Sequence, residues 1–85
     1  MEINENTVVI VTGGASGLGA ATARALASKG AKINIFDMNL SLGDAMAETL
    51  GGDFYQVDVS DAVAVTAAMK AVENNFDDLK VNELL

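Results

Sequence analysis

The chain has 85 residues and a net charge of −7, and it contains neither cysteine nor histidine. This composition excludes disulfides, zinc sites of the usual Cys/His kind, and Ser-His-Asp or Cys-His catalysis within the chain. The acidic field and the scattered basic residues argue against nucleic-acid or anionic-membrane partners. No apolar run approaches the roughly 18 residues of a membrane span, and residues 1–6 resemble no targeting signal. We therefore expect a cytoplasmic protein without a metal site.

The first two units of the chain each pair an apolar strand with a helix. Thr7–Val11 is β-branched throughout and apolar from its second residue, which predicts a strand buried on both faces of a parallel sheet. After a glycine-rich loop, apolar residues at helical spacing predict a helix over 18–30 that ends at a glycine. Lys32–Asp37 predicts a second strand. Asn39 or Ser41 then caps a second predicted helix, which a Gly-Gly pair closes.

The third unit repeats this alternation. Asp53–Val59 predicts a strand, and Ser60 is the predicted N-cap of a helix over Asp61–Asn74. Leu79–Val81 is typical of the start of a fourth strand. The alternation predicts an α/β fold with right-handed crossovers in one domain, residues 1–85. We expect the strands to form one parallel sheet.

The loop TGGASGLG lies between the first strand and the first helix. Glycines at 13, 17 and 19 let backbone N–H groups approach a phosphate closely, and the helix adds free amides and the positive end of its dipole. The loop lacks the terminal Gly-Lys-Ser/Thr of a nucleoside triphosphatase, and its spacing differs from the usual G-x-G-x-x-G. A glycine-rich turn without a ligand is the alternative.

Asp37 is the second element of a dinucleotide site. It ends the second strand, eighteen residues after Gly19. An acid about 20 residues after the loop accepts hydrogen bonds from the adenine ribose in dinucleotide-binding units. A carboxylate there also repels a 2′-phosphate, which favours NAD over NADP. The alternative is an ordinary aspartate that caps the next turn.

At these residues the chain resembles the short-chain dehydrogenase/reductases, and most closely their type II 3-hydroxyacyl-CoA dehydrogenase branch. The loop Thr12-Gly13-x-x-x-Gly17-x-Gly19 carries the resemblance, and Asp37 matches the acid of NAD-preferring members. Asp58-Val59-Ser60 resembles the segment that holds the adenine ring. Where NADP-preferring members tend to carry a basic residue, the chain has Ser16 and Met38. The resemblance implies these cofactor-binding residues: Gly13, Ser16, Gly17, Leu18, Gly19, Asp37, Met38, Asp58 and Val59.

The resemblance implies a parent activity, the NAD-dependent oxidation of a secondary alcohol such as a 3-hydroxyacyl-CoA. The family's catalytic Ser and Tyr-x-x-x-Lys pair have no match in these residues. Tyr55 is followed four positions later by valine, and we predict that it packs in the third strand. Asn82 matches the first residue of the family's Asn-Ala-Gly loop. We identify no catalytic residue and expect the chain alone to be inactive.

Three hypotheses for the chain's function follow. The first is an NAD-binding half of an oxidoreductase that binds without catalysis, and the second is a dehydrogenase whose catalytic half comes from a second chain. The third is a structural fragment that self-associates without binding a nucleotide. The resemblance implies a Rossmann-like parallel sheet, half of a doubly wound fold, with strand order 3-2-1 and the fourth strand beside the first if it forms. Such a half would leave the edge of the first strand and much of one sheet face bare. We therefore predict a homo-oligomer that forms through this edge or face.

Overall fold

The computed structural model describes residues 2–76 and 81–85 of the chain. The elements are β1 (Val8–Thr12), α1 (Gly17–Ala27), β2 (Lys32–Asp37), α2 (Leu40–Leu50), β3 (Asp53–Gln56), α3 (Ala62–Asn75) and β4 (Val81–Leu84). The alternation of strands and helices predicted from the sequence is confirmed. The first two residues of the segment predicted to start the fourth strand, Leu79 and Lys80, lie outside the described residues.

The four strands form one parallel sheet in the order β3-β2-β1-β4, as predicted. β4 pairs with β1 across an irregularity in the register between Val8 and Val9. Because β4 occupies the outer side of β1, the prediction that the edge of β1 would be bare is wrong. The match of Asn82 to a loop residue is also wrong, since Asn82 lies within β4.

The helices cover both faces of the sheet. α1 and α2 pack on one face, against Val9 and Val11 of β1, and α3 packs on the other face, against Val8 and Ile10. These four β1 side chains are at most 1% exposed, so both faces of this strand are covered. Burying each of them stabilises the fold by roughly 1.5–3 kcal/mol. β1 is therefore the central strand of the core.

Several helix and strand ends differ from the predicted ends: β1 lies one residue later, and α1 ends at Ala27 rather than at residue 30. Larger differences occur at α3 and β3. α3 begins after Asp61 rather than Ser60, because the Asp61 carboxylate accepts the amides of Val63 and Ala64, each at 3.1 Å. β3 ends at Gln56 rather than at residue 59. Gln56 pairs with Asp37, which is the last residue of β2, so β2 offers no further residue for strand pairing. At α2 the predicted cap is confirmed, since the Asn39 side chain accepts the Leu42 amide at 3.0 Å.

Candidate functional site

The carboxyl ends of β1, β2 and β3 meet at one edge of the sheet because the strands are parallel. Two backbone hydrogen bonds continue the pairing past the strands. The Gly13 amide donates to the carbonyl of Phe36 at 2.8 Å, and the Val57 amide donates to the carbonyl of Asp37 at 3.1 Å. The glycine loop, the end of β2 and the segment after β3 therefore lie side by side at this edge, where ligands bind in open α/β sheets.

Three of the four glycines of the loop meet a steric requirement. Gly13 and Gly17 have φ angles of 67° and 57°, in the left-handed region that disfavours other residues by roughly 1–2 kcal/mol. Gly19 lies in the first turn of α1, and a Cβ there would overlap the carbonyl of Gly13. Only glycine at this position lets the helix start directly against the loop.

The first turn of α1 carries free backbone donors. Its N-cap, Ser16, has an extended backbone, and its side chain makes no capping hydrogen bond. The first amide to donate within the helix is that of Ala20, to the Ser16 carbonyl at 3.1 Å. Among the described residues, the amides of 17–19 have no acceptor, and no acidic side chain lies in this turn. The first turn therefore presents three N–H groups and the positive end of the helix dipole.

Asp37 joins the strand end to the glycine loop. Its Oδ2 accepts the Ala15 amide at 3.1 Å, and its Oδ1 accepts the Asn39 amide at 2.9 Å. The carboxylate is partly exposed at the sheet edge. The two features that the sequence singled out separately, the loop and the acid, are in direct contact.

A shallow pocket of about 210 Å³ lies beside the carboxylate. Its lining comprises Gly13, Phe36, Asp37, Met38, Val57, Asp58 and Val59. Five of these are sequence-predicted site residues. Phe36 and Val57 were not predicted, because a buried apolar residue at a strand end has the same pattern as ordinary core. The other four predicted residues, at positions 16–19, lie outside this lining, in the loop and the first turn of α1.

Asp58 is fixed in orientation by a local turn. Its Oδ1 accepts both the hydroxyl of Ser60 at 2.6 Å and the Ser60 amide at 2.9 Å. These hydrogen bonds, the one from the hydroxyl foremost, hold the pKa of the Asp58 carboxyl below its usual value. Both bonds use the same oxygen. Among the described residues, Oδ2 accepts no hydrogen bond and can take one from a ligand.

Tyr55 is partly buried and packs against the core, as predicted. Its ring meets Phe36 edge to face with centroids 5.6 Å apart, and its hydroxyl accepts a hydrogen bond from the Asn75 side chain at 2.9 Å. Burial, with a smaller effect of the Asp53 charge, raises the pKa of Tyr55 above its usual value. A hydroxyl with a raised pKa is a weaker acid, so this environment does not prepare Tyr55 for proton transfer.

The site therefore combines free backbone N–H donors with two oriented carboxylates and a small pocket. The family model for short chain dehydrogenases matches residues 7–82. This chain belongs to the short-chain dehydrogenase family. The resemblance recognised in the glycine loop is confirmed.

Two relatives within the short-chain dehydrogenase family are similar over most of the chain. The D-threitol dehydrogenase of Mycolicibacterium smegmatis is 45% identical over an alignment 85 residues long. The alignment covers 92% of this chain and 33% of the relative. The 3-hydroxyacyl-CoA dehydrogenase type-2 of Drosophila melanogaster is 44% identical over 82 residues, which cover 92% and 32%. The chain thus spans about a third of the length of these curated relatives.

A solved structure gives the same fold. The citronellol catabolism dehydrogenase AtuB of Pseudomonas aeruginosa PAO1 superposes with a TM-score of 0.87 at 24% identity, covering 98% of this chain and 36% of that one. The Rossmann-like α/β architecture predicted from the sequence is therefore confirmed. Among the described residues, no helix has the length and apolar character to cross a membrane.

Proposed function

We propose that the chain binds NAD(H), with the pyrophosphate at the glycine loop and the first turn of α1. The observation that carries this proposal is the uncapped N-terminus of α1, with free amides at 17–19. It follows the loop whose Ala15 amide donates to the Asp37 carboxylate. A dianionic pyrophosphate satisfies such amides and interacts favourably with the helix dipole. The absence of a side chain at Gly19 keeps the loop and helix close enough to act together.

The preference for NAD over NADP is proposed from charge. The Asp37 carboxylate would accept ribose hydroxyls and repel a 2′-phosphate. Neither Ser16 nor Met38 supplies a positive charge, and Met38, at 59% exposure, leaves the rim of the pocket apolar. Among the pocket-lining residues no basic side chain offsets this repulsion.

The pocket beside Asp37 is proposed to hold the adenine ring. Its apolar lining suits the ring faces, and the free Oδ2 of Asp58 is an acceptor for an exocyclic amine. The backbone amide of Val59 would serve as the donor to a ring nitrogen. In this proposal all nine sequence-predicted residues belong to one binding site for one dinucleotide. Residues 1–85 then act as one dinucleotide-binding unit.

We further propose the reaction that this unit serves: NAD-dependent oxidation of a secondary alcohol, such as a 3-hydroxyacyl-CoA. NAD⁺ supplies the hydride acceptor for this chemistry. The names of the two relatives describe dehydrogenases of different substrates, D-threitol and a 3-hydroxyacyl-CoA. The catalytic residues would come from segments other than those described, on the same chain or on a second one. A cytoplasmic location remains a prediction from the sequence.

Calorimetric titration with NAD⁺ and NADP⁺ tests this function. We expect saturable binding that is tighter for NAD⁺ and is lost in Asp37→Ala. Asp53→Ala is the matched control, because it removes an equal charge from an exposed position at the start of β3. No binding of either nucleotide at millimolar concentration would contradict the proposal, as would equal losses in both variants.

Self-association is a second candidate function, for which the edge strand β4 is the supporting observation. β4 is the last strand of the sheet, and the nearby Leu84 and Leu85 are 48% and 43% exposed. An exposed strand edge with apolar side chains favours pairing with another chain. Light scattering at micromolar concentrations tests this: a mass above 8.7 kDa that falls on dilution supports homo-oligomers, and a constant monomer mass contradicts them.

A further inference from the structure

The Asp37 carboxylate bridges two segments of the backbone. Its Oδ1 holds the nearby Asn39 amide, at the start of α2, and this local contact orients the carboxylate. Its Oδ2 then holds the Ala15 amide, which lies 22 residues earlier in the chain. Both oxygens are therefore engaged within the protein itself.

The Ala15 contact is the main restraint on the middle of the glycine loop. Backbone hydrogen bonds hold the two ends of the loop. The Gly13 amide donates to the carbonyl of Phe36, and the Ser16 carbonyl accepts the Ala20 amide. Among the described residues, the amides at 14 and 16 have no hydrogen bond, so the Ala15 amide is the one of these three that is held. A charged acceptor makes this bond stronger than an ordinary amide–carbonyl bond.

We propose that Asp37 is a positioning residue for the pyrophosphate-binding loop, in addition to its ribose-facing role. Its carboxylate fixes the Ala15 amide and so sets the path of the loop into the first turn of α1. The proposal rests on the assignment of the pyrophosphate to this loop. A change at position 37 then alters the phosphate site as well as the choice between NAD and NADP.

The direction in which anion affinity changes when Asp37 is neutralised distinguishes a positioning role from an effect of charge alone. Neutralising a carboxylate near an anion site strengthens anion binding if charge alone matters. Asp37→Asn removes the charge, and it also places an NH₂ group where one of the two backbone amides needs an acceptor. If the carboxylate positions the loop, this variant binds an anion more weakly, against the direction that Coulomb's law gives. Asp58→Asn makes the same charge change in the same pocket without touching the loop.

Amide hydrogen exchange tests the positioning role in the ligand-free chain. In the wild type we expect the Ala15 amide to be protected relative to the amides at 14 and 16. In Asp37→Ala, which leaves the Ala15 amide without a side-chain acceptor, this protection falls by about tenfold or more, which corresponds to one hydrogen bond to a charged group. In Asp58→Asn it stays unchanged. An unprotected Ala15 amide in the wild type would overturn the proposal even if a variant failed to fold.

Titration with inorganic pyrophosphate, which has no ribose, separates the loop from the ribose site. We expect Asp37→Asn to bind pyrophosphate several-fold more weakly than the wild type, and Asp58→Asn to bind it at least as tightly. Tighter binding by both variants would mean that charge alone acts, and would overturn the positioning role. If the wild type binds no pyrophosphate, the proposed nucleotide site fails, and the exchange experiment still decides whether Asp37 holds the loop.

Discussion

The N-termini of α1 and α3 are built in opposite ways. At α3, the Asp61 carboxylate accepts two amides of the first turn, so the helix satisfies its own donors. At α1, Ser16 caps nothing, and glycines occupy the first and third positions of the helix. An uncapped end is less stable by about 1 kcal/mol. This difference is the one expected if the first turn of α3 serves the fold alone and the first turn of α1 binds the proposed pyrophosphate.

The largest expected effect comes from filling the contact between loop and helix. In Gly19→Ala the new Cβ overlaps the Gly13 carbonyl, and the backbone on both sides must move. We expect the free energy of unfolding to fall by up to about 3 kcal/mol, the upper range for overpacking. NAD⁺ affinity should fall with it. Urea unfolding and calorimetry measure the two losses.

Leu18→Ala is the control for this substitution. The Leu18 side chain is 85% exposed, so its truncation should change the free energy of unfolding by less than about 0.5 kcal/mol. A free energy of unfolding of Gly19→Ala equal to that of Leu18→Ala would contradict the requirement for glycine at the contact between loop and helix.

The second effect comes from giving α1 the kind of cap that α3 has. Ser16→Asp places a carboxylate beside the free amides at 17–19 and should stabilise the chain by up to about 1 kcal/mol. The same charge opposes a pyrophosphate. We expect NAD⁺ affinity to fall about tenfold or more, because like charges a few Å apart repel by more than about 1 kcal/mol at a protein surface.

Ser16→Asn is the matched neutral cap for that experiment. It should stabilise the helix similarly while retaining more of the NAD⁺ affinity than the aspartate variant. Unchanged NAD⁺ affinity in Ser16→Asp would show that the phosphates do not lie at the first turn of α1.

The third prediction compares the two caps directly. Asp61→Ala removes the acceptor of two amides and should lower the free energy of unfolding by about 1 kcal/mol. Ser16→Ala removes a side chain that caps nothing, so its effect should stay below about 0.5 kcal/mol. Urea unfolding of both variants checks this. Equal losses would remove the contrast between the two helix ends.

The smallest effect concerns the turn before α3. The Ser60 hydroxyl and amide hold the pKa of Asp58 below its usual value, so the ionised carboxylate is favoured in the folded chain. This contribution to stability is present above the ordinary aspartate pKa of about 3.9 and is lost as the pH falls through the lower, folded pKa. In Ser60→Ala the Asp58 pKa should rise toward its ordinary value.

NMR titration of the Asp58 side chain measures that rise. The stabilities of Ser60→Ala and the wild type should differ at neutral pH and converge in acid. A Ser60→Ala pKa equal to that of the wild type would contradict the role of the hydroxyl.

The sequence predicted the architecture well because local signals and the strand–helix alternation agree. The bounds of β2 match the prediction, since the segment Lys32–Asp37 lies between a glycine turn and a capping asparagine. The cap of α3 was misassigned because Ser60 and Asp61 are both good N-cap residues. Which of them caps depends on Asp58, which uses the Ser60 hydroxyl itself.

The site was predictable in its residue types and not in its contacts. Glycine spacing and an acid at a strand end are visible in the sequence. The Asp37–Ala15 hydrogen bond is not, because its donor is a backbone amide that any residue except proline would supply. Asn34 is a similar case. It is fully buried in β2, its Nδ2 donates to the Val9 carbonyl at 3.3 Å, and its Oδ1 has no partner among the described residues. A polar residue within an apolar strand gives no sign of such burial.

The most direct test of the account is an NMR titration of the ¹⁵N-labelled chain with NAD⁺. The contrast between the helix ends predicts large, saturable amide shifts at 17–19 in α1 and none at Val63 and Ala64 of α3, whose donors are already satisfied. NADP⁺ should produce the same pattern only at higher concentration. Saturable binding that left the amides at 17–19 unmoved, or that moved those of α3 instead, would contradict the assignment of the first turn of α1 as the phosphate site.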